Sequence, residues 1–154
     1  MRWGLTWEDD EESFDGCKAK ARIVILGFQD PDLCERPSAA PTASRLARMV
    51  FLQVAVWYCM ILERADAKTT FLQGRPIERD LFVLPAPELA HALGIPPGEA
   101  AKLQKSSYGL VDAPLEWYLH VVAELKNLGW RQLESYPCTF MMLENGQDVA
   151  LHFT

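Results

Sequence analysis

The chain is expected to be α+β, with a mostly antiparallel sheet and two main helices. Three observations carry this. Two stretches, 46–61 and 114–128, repeat apolar residues at spacings of three and four, the period of a helix with one buried face. Short apolar or alternating runs surround them, each closed by Pro, Gly or Asp. The last of these, "TFMMLENGQDVALHF", doubles back on Asn145–Gly146, a strong hairpin signal.

Taken in order, "RWGLTW" (2–7) predicts a short strand, and an acidic loop follows. "KAKARIVILGF" (18–28) alternates basic and apolar residues and then turns wholly apolar, which predicts a strand running into the core. "QDPDLCERPSAAPT" is rich in Pro, Asp and Ser and reads as a loop. In the first helix Leu46, Met49, Val50, Gln53, Val54, Trp57, Tyr58 and Ile61 mark the apolar face, expected to be core, with Thr42 or Ser44 as cap. "ILERADA" (61–67) predicts a short strand ending at Asp66, and "DLFVLPAP" (80–87) another stopped by Pro85. "PELAHALGI" (87–95) predicts a short helix ended by Gly94. In the second long helix Pro114 suits the first turn, and Asp112 or Ala113 sits near the cap. Its face is Tyr118, Val121, Val122, Leu125 and Leu128, and Gly129 ends it.

With 154 residues, 49% of them hydrophobic, one domain or a piece of a larger one is expected. Six of the 21 acids fall in residues 1–15 against Arg2 alone, giving −5 there. The other 139 residues hold 14 bases and 15 acids, so the body is near neutral and lacks the basic excess usual in nucleic-acid binders. Cys17, Cys34, Cys59 and Cys138 form no CxxC pair, and HExxH is absent, which argues against zinc and for reduced thiols. The longest apolar stretch has 14 residues and contains Gln53, short for a membrane span. An acidic start is unlike a secretory leader, so an intracellular protein, cytoplasmic or nuclear, is expected. His91, His120 and His152 have no partners at useful spacing.

Four stretches in order carry the functional signal: "KAKARIVILGFQD" (18–30), "ADAKTTFLQGRPIERDLFVLP" (65–85), "LQKSSYGLVDAPLEWY" (103–118) and "GWRQLESYPCTFMM" (129–142). Together they resemble the reverse transcriptase (RNA-directed DNA polymerase) domain of copia-type retrotransposons, over nearly the whole chain. The resemblance implies a single partial domain over 1–154, comprising fingers and part of the palm of a right-hand polymerase. It implies templated DNA synthesis from deoxynucleoside triphosphates on a primer–template. Asp66 matches the aspartate of the family's "D-x-K-x-A-F-L-x-G", which implies a catalytic ligand of Mg²⁺ at the end of a palm strand. Two metals at roughly 3.5–4 Å would stabilise both oxygens of an in-line displacement, and Mg²⁺ favours carboxylates. Taken alone, Asp66 is an acid at a strand end and would be a turn or cap residue.

Phe71 matches an aromatic packed under the incoming sugar, which implies exclusion of a 2′-hydroxyl; alone it would be plain core. Lys20 and Arg22 match the family's "K-A-R", implying triphosphate contacts, and strand alternation puts them on one face. Alone they would be a solvated face. Tyr108 and Gly109 match "Y-G-L-x-x-A-P", a turn near nucleotide and template. The sequence also departs from the family. Leu115 stands where Arg is usual, Asp112 where Gln is common, and Ala67 and Thr70 replace other residues. The paired aspartates that complete the metal site in the family are not among the 154 residues; the hairpin reads "NGQDVALHFT", and its Asp148 sits at the turn. A truncated domain, inactive alone, is therefore expected, with thumb and ribonuclease H region absent. The alternative is a non-catalytic nucleic-acid-binding or interaction module built on the same domain.

Overall fold

The computed structural model describes residues 1–11, 14–144 and 147–153. Strand β1 (Arg2–Asp9) pairs antiparallel with β2 (Cys17–Val24) as a two-stranded ribbon. Register and alternation put Trp3, Leu5, Trp7, Ala19, Ala21 and Ile23 on one face. Thr6, Glu8, Lys18, Lys20 and Arg22 share the other. The ribbon projects from the fold rather than entering the core: Leu5 and Trp7 are each 76% exposed. The Trp3 indole N–H donates to Glu88 Oε2 at 2.9 Å, which holds that carboxyl below its ordinary pKa. β2 stops at Val24, and a 3₁₀ turn at Gly27–Gln29 replaces the longer strand expected over 18–28.

Helix α1 (Arg45–Trp57) starts where Ser44 Oγ accepts the Ala47 N–H at 3.0 Å, one of the two expected caps. Its apolar face is not core, contrary to expectation. Ala47 and Ala55 are buried, but Met49, Val50 and Leu46 are exposed, and Trp57 is 79% exposed. The helix touches the sheet described below through Phe51, whose ring stacks on His152 at 5.3 Å. A single ring and two alanines leave the rest of the face in solvent. The strand expected at 61–67 is also absent. Cys59 adopts φ +50°, and residues 60–67 take neither helix nor strand. An isolated extended segment has no ladder to satisfy its backbone, and no strand lies beside this one among the described residues.

The middle of the chain makes the first core. Strand β3 is only Phe82–Val83, paired antiparallel with β4 (Ala101–Lys102), which the sequence did not signal. Helix α2 (Pro87–Leu93) ends at Gly94 with φ +67°, as the glycine predicts. Ile25, Leu81, Leu110 and Ala113 are buried together, with Phe71, Ile77, Val83 and Leu103 packed around them. Ile77 N–H donates to Gln104 O at 3.0 Å and Leu103 N–H to Leu81 O at 2.8 Å, so the segment after Phe71 runs beside the segment leading to Tyr108.

The second core lies under helix α3 (Ala113–Asn127), which ends near Gly129 at φ +90°. Tyr118 and Val122 are buried against Cys138 and Phe140 of β6. Leu128, expected on the buried face, is exposed. Strands β5 (Arg131–Leu133), β6 (Tyr136–Glu144) and β7 (Gln147–His152) form an antiparallel sheet in sequence order. The hairpin of β6 and β7 is as expected; its Asn145–Gly146 turn lies outside the described residues. By alternation, Phe140 and Leu151 face α3, while Thr139 and His152 face the other way, where Phe51 of α1 sits. Burial raises the pKa of both the Cys138 thiol and the Tyr118 phenol. Among the described residues the architecture is thus mixed α and β, with the two expected long helices, the expected short one, and several small antiparallel sheets in place of one. Among the described residues no helix is long and apolar enough to cross a membrane.

Two substitutions probe this packing. Gly109→Ala must fit a Cβ 2.0 Å from Ile25 O at φ +97°, whereas Gly94→Ala meets only strain in open space. Chemical denaturation is expected to show a loss of about 3 kcal/mol or more at Gly109 and about 1 kcal/mol at Gly94. Equal losses would contradict the close approach. A third probe is pH. His152 is shifted below its ordinary pKa, first by burial and then by the Arg48 charge. The unfolded chain therefore binds this proton first, so its contribution to stability is complete above the unfolded pKa and fades as pH falls through it. The thermal midpoint of the native chain should drop between about pH 7.5 and about pH 5.5, and His152→Phe should flatten that part of the slope.

Candidate functional site

Two backbones touch at the heart of the molecule. The Ile25 N–H donates to Tyr108 O at 2.7 Å. A Cβ on Gly27 would lie 2.0 Å from Gly109 O, and one on Gly109 equally close to Ile25 O. Only glycine at both positions allows this approach, and Gly109 also needs φ +97°. The contact locks the end of β2 against the Ser107–Leu110 turn, where the Leu110 N–H donates to Ser107 O at 3.2 Å. Gly109 is therefore a structural residue here, and what it positions is Tyr108.

The Tyr108 ring meets two of the residues singled out by sequence. The Arg22 guanidinium lies 6.0 Å from its centroid, the outer range of a cation–π contact. Phe71 meets it edge-on, with centroids 5.2 Å apart and planes at 68°. This geometry suits the positive ring edge and negative ring face. Phe71 is presented by a 3₁₀ turn over Thr70–Gln73, entered through Thr69 at φ +51°. Gly74 packs against the backbone of α3, and the Arg75 Nε–H pairs with Glu116 Oε2 at 2.9 Å. These contacts hold the turn to the helix. Lys20 shares the face of Arg22 but is ion-paired to Glu8, whose carboxylate also lies 3.9 Å from Arg22. The cluster thus offers a half-exposed guanidinium beside two rings, suited to an anionic group joined to a flat or sugar-like body.

Asp66 does not join them. It is exposed in the irregular 60–67 stretch, and no hydrogen bond or ion pair links it to Lys20 or Arg22 among the described residues. Its expected strand does not form because nothing pairs with it. Among the described residues no three His, Cys, Asp or Glu side chains are grouped so as to hold a metal ion. A lone exposed carboxylate does not fit a magnesium pair, which needs several oxygen ligands held around both ions. An open cavity of about 630 Å³ between α3 and β5, lined by Lys126, Trp130, Arg131 and Glu134 among others, includes none of the candidate site residues Lys20, Arg22, Asp66, Phe71, Tyr108 and Gly109.

Sequence reading missed one group altogether. Arg79 is only 13% exposed at its side chain and meets Asp30, Asp32 and Asp112. Asp112 occupies the cap position of α3, but its carboxylate makes no cap hydrogen bond and instead faces Arg79. Arg79's hydrogen bonds hold Asp30 below its ordinary pKa against the opposing effect of burial, and Arg79 is raised in turn.

A family model described as reverse transcriptase (RNA-dependent DNA polymerase) matches residues 1–149. The chain belongs to the reverse transcriptase family. Among its relatives is the retrovirus-related Pol polyprotein from transposon TNT 1-94 of Nicotiana tabacum, 29% identical over 122 residues. That alignment covers 79% of this chain and 9% of the tobacco protein. The Pol polyprotein from transposon RE1 of Arabidopsis thaliana is 28% identical, covering 85% of the chain and 9% of that protein. The transposon Ty1-MR1 Gag-Pol polyprotein of Saccharomyces cerevisiae is 28% identical, covering 83% and 7%. The chain is thus a stretch of reverse transcriptase sequence of the kind carried by retrotransposon Pol polyproteins, and it spans less than a tenth of these relatives. No solved structure matches it. The ordered motifs, not the position of Asp66, identify the family.

The Phe71–Tyr108 contact is directly testable. A double-mutant cycle of Phe71→Leu and Tyr108→Leu, read by denaturant unfolding, should return a coupling of about 1 kcal/mol. Additive losses would mean that the rings do not interact.

Proposed function

We propose that the chain is the fingers and part of the palm of a retrotransposon reverse transcriptase, a single partial domain whose Arg22–Tyr108–Phe71 cluster contacts the incoming deoxynucleoside triphosphate. The observation that supports it most is the convergence of these three residues, which lie far apart in sequence yet meet around one ring. Arg22 would face a phosphate. Phe71 would lie under the sugar and disfavour a 2′-hydroxyl, so the intact enzyme would make DNA. Lys20 would add a second phosphate contact once released from Glu8. The β1–β2 ribbon would belong to the fingers, and α3 with β5–β7 to the palm. Primer–template nucleic acid would be the macromolecular partner.

In this reading Asp66 is the family's metal-binding carboxylate by sequence match. One carboxylate does not hold two divalent ions, and the electrostatic stabilisation that dominates phosphoryl transfer needs them. The 154-residue chain by itself would therefore bind and not polymerise. That also distinguishes it from the alternative module, which would bind nucleic acid with no preference for a free nucleotide.

Isothermal titration with dTTP tests the reading. Binding should be weakened about tenfold by Arg22→Ala or Tyr108→Ala. It should be unchanged by Arg131→Ala in the α3–β5 cavity, whose lining includes none of the three residues. Failure to bind, or equal binding by Arg22→Ala, would remove the reading. A primer-extension assay on the same chain with magnesium should show no product.

A further inference from the structure

Arg79 is the best-buried cation in the ion pairs of the described residues, and three carboxylates surround it. Its Nη1 donates to Asp30 Oδ1 at 2.6 Å and to Asp32 Oδ2 at 2.9 Å. Its Nη2 donates to Asp30 Oδ2 and lies 3.8 Å from Asp112 Oδ2. Asp30, with a side chain only 2% exposed, receives both arms of the fork. Bidentate pairing of this kind fixes direction as well as distance.

The placement of these residues along the chain gives the group its meaning. Asp30 follows the strand that carries Arg22, Asp112 follows the turn that carries Tyr108, and Arg79 closes the segment that opens with Phe71. In each segment a first-core residue stands between the two: Ile25, Leu110 and Ile77. Three segments are thus joined twice, at the Arg22–Tyr108–Phe71 cluster and at the Arg79 clasp. Without Arg79, Asp30 and Asp112 would remain buried as like charges, pushing the two segments that carry them apart. Arg79 Nε and Asp112 Oδ1 are buried without a protein partner, so the clasp is only partly satisfied. Its strength therefore depends on the paired arms of the fork.

We propose that Arg79 is a positioning residue for the nucleotide-contact cluster: through Asp30, Asp32 and Asp112 it sets the spacing of the segments that present Arg22, Tyr108 and Phe71. This rests on the nucleotide reading above for its functional consequence, but not for its structural one.

The test uses the 154-residue chain labelled with 3-fluorotyrosine, the Tyr108 resonance being assigned by Tyr108→Phe. Arg79→Lys keeps the charge and loses the fork. Asp32→Asn removes only the half-exposed partner and spares the fold if Arg79→Lys does not. The Tyr108 fluorine resonance should move toward its solvent-exposed value in both variants. The dTTP dissociation constant should rise about tenfold in Arg79→Lys and about threefold in Asp32→Asn, the loss expected when a preorganised site is loosened. A folded variant with lowered thermal stability but the native resonance and native dTTP affinity would overturn the proposal, since a merely structural ion pair acts that way. If the unmodified chain binds no dTTP, the nucleotide reading fails and the resonance alone decides: moved supports the clasp, unmoved overturns it.

Discussion

The fold turns on a place where two backbones come closer than any side chain permits. A Cβ on Gly27 would strike Gly109 O and one on Gly109 would strike Ile25 O, and the Ile25 amide uses that closeness to bond Tyr108 O. A buried amide left without a partner would cost about as much as a lost hydrogen bond, so this one link matters beyond its own energy. It joins the end of the ribbon to the start of α3. The first core then fills in around it, with Ile25 and Leu110 as direct neighbours of the link. Arg22 and Tyr108 meet because the link fixes the end of β2 against the turn that carries Tyr108.

Charge supports the same arrangement from the other end of each segment. One guanidinium balances carboxylates drawn from the turn after β2 and from the start of α3. A desolvated ion pair is a weak source of stability compared with apolar packing, but breaking one partner is costly. Such a group specifies where segments sit more than it adds to their stability. The ribbon's own charges are of the other kind. Glu8 with Lys20 and Arg22 is an exposed group, screened by solvent and easily exchanged for a ligand's phosphate.

What the sequence made legible follows from how local each signal is. The caps and stops of the helices were read at Ser44, Pro114, Gly94 and Gly129 because a few neighbouring residues decide them. Strands β1 and β2 were legible as strands but not as partners, and the β6–β7 hairpin was legible through its turn pair. The strand at 61–67 was overread: "ILERADA" has strand-like residues, but a strand exists only where another offers a ladder. The helix at 45–57 was read correctly as a helix and wrongly as core, since an apolar stripe states what a face can bury and not what covers it. The cluster was half legible. Motif order picked out Arg22, Phe71 and Tyr108, and they do meet, while Asp66 from the same motifs does not join them. Arg79 carried no signal, because its partners Asp30 and Asp112 are distant in sequence and no spacing rule spans that gap.

Amide hydrogen exchange at Ile25 examines the foundation most directly. If its N–H is held by Tyr108 O inside a glycine-tight contact, it should exchange only through global unfolding, with protection within about tenfold of the slowest α3 amides. Exchange as fast as that of the exposed amides at 61–67 would mean that the two backbones do not meet in solution. The cluster around Tyr108 would then lack the backbone link that holds β2 against its turn.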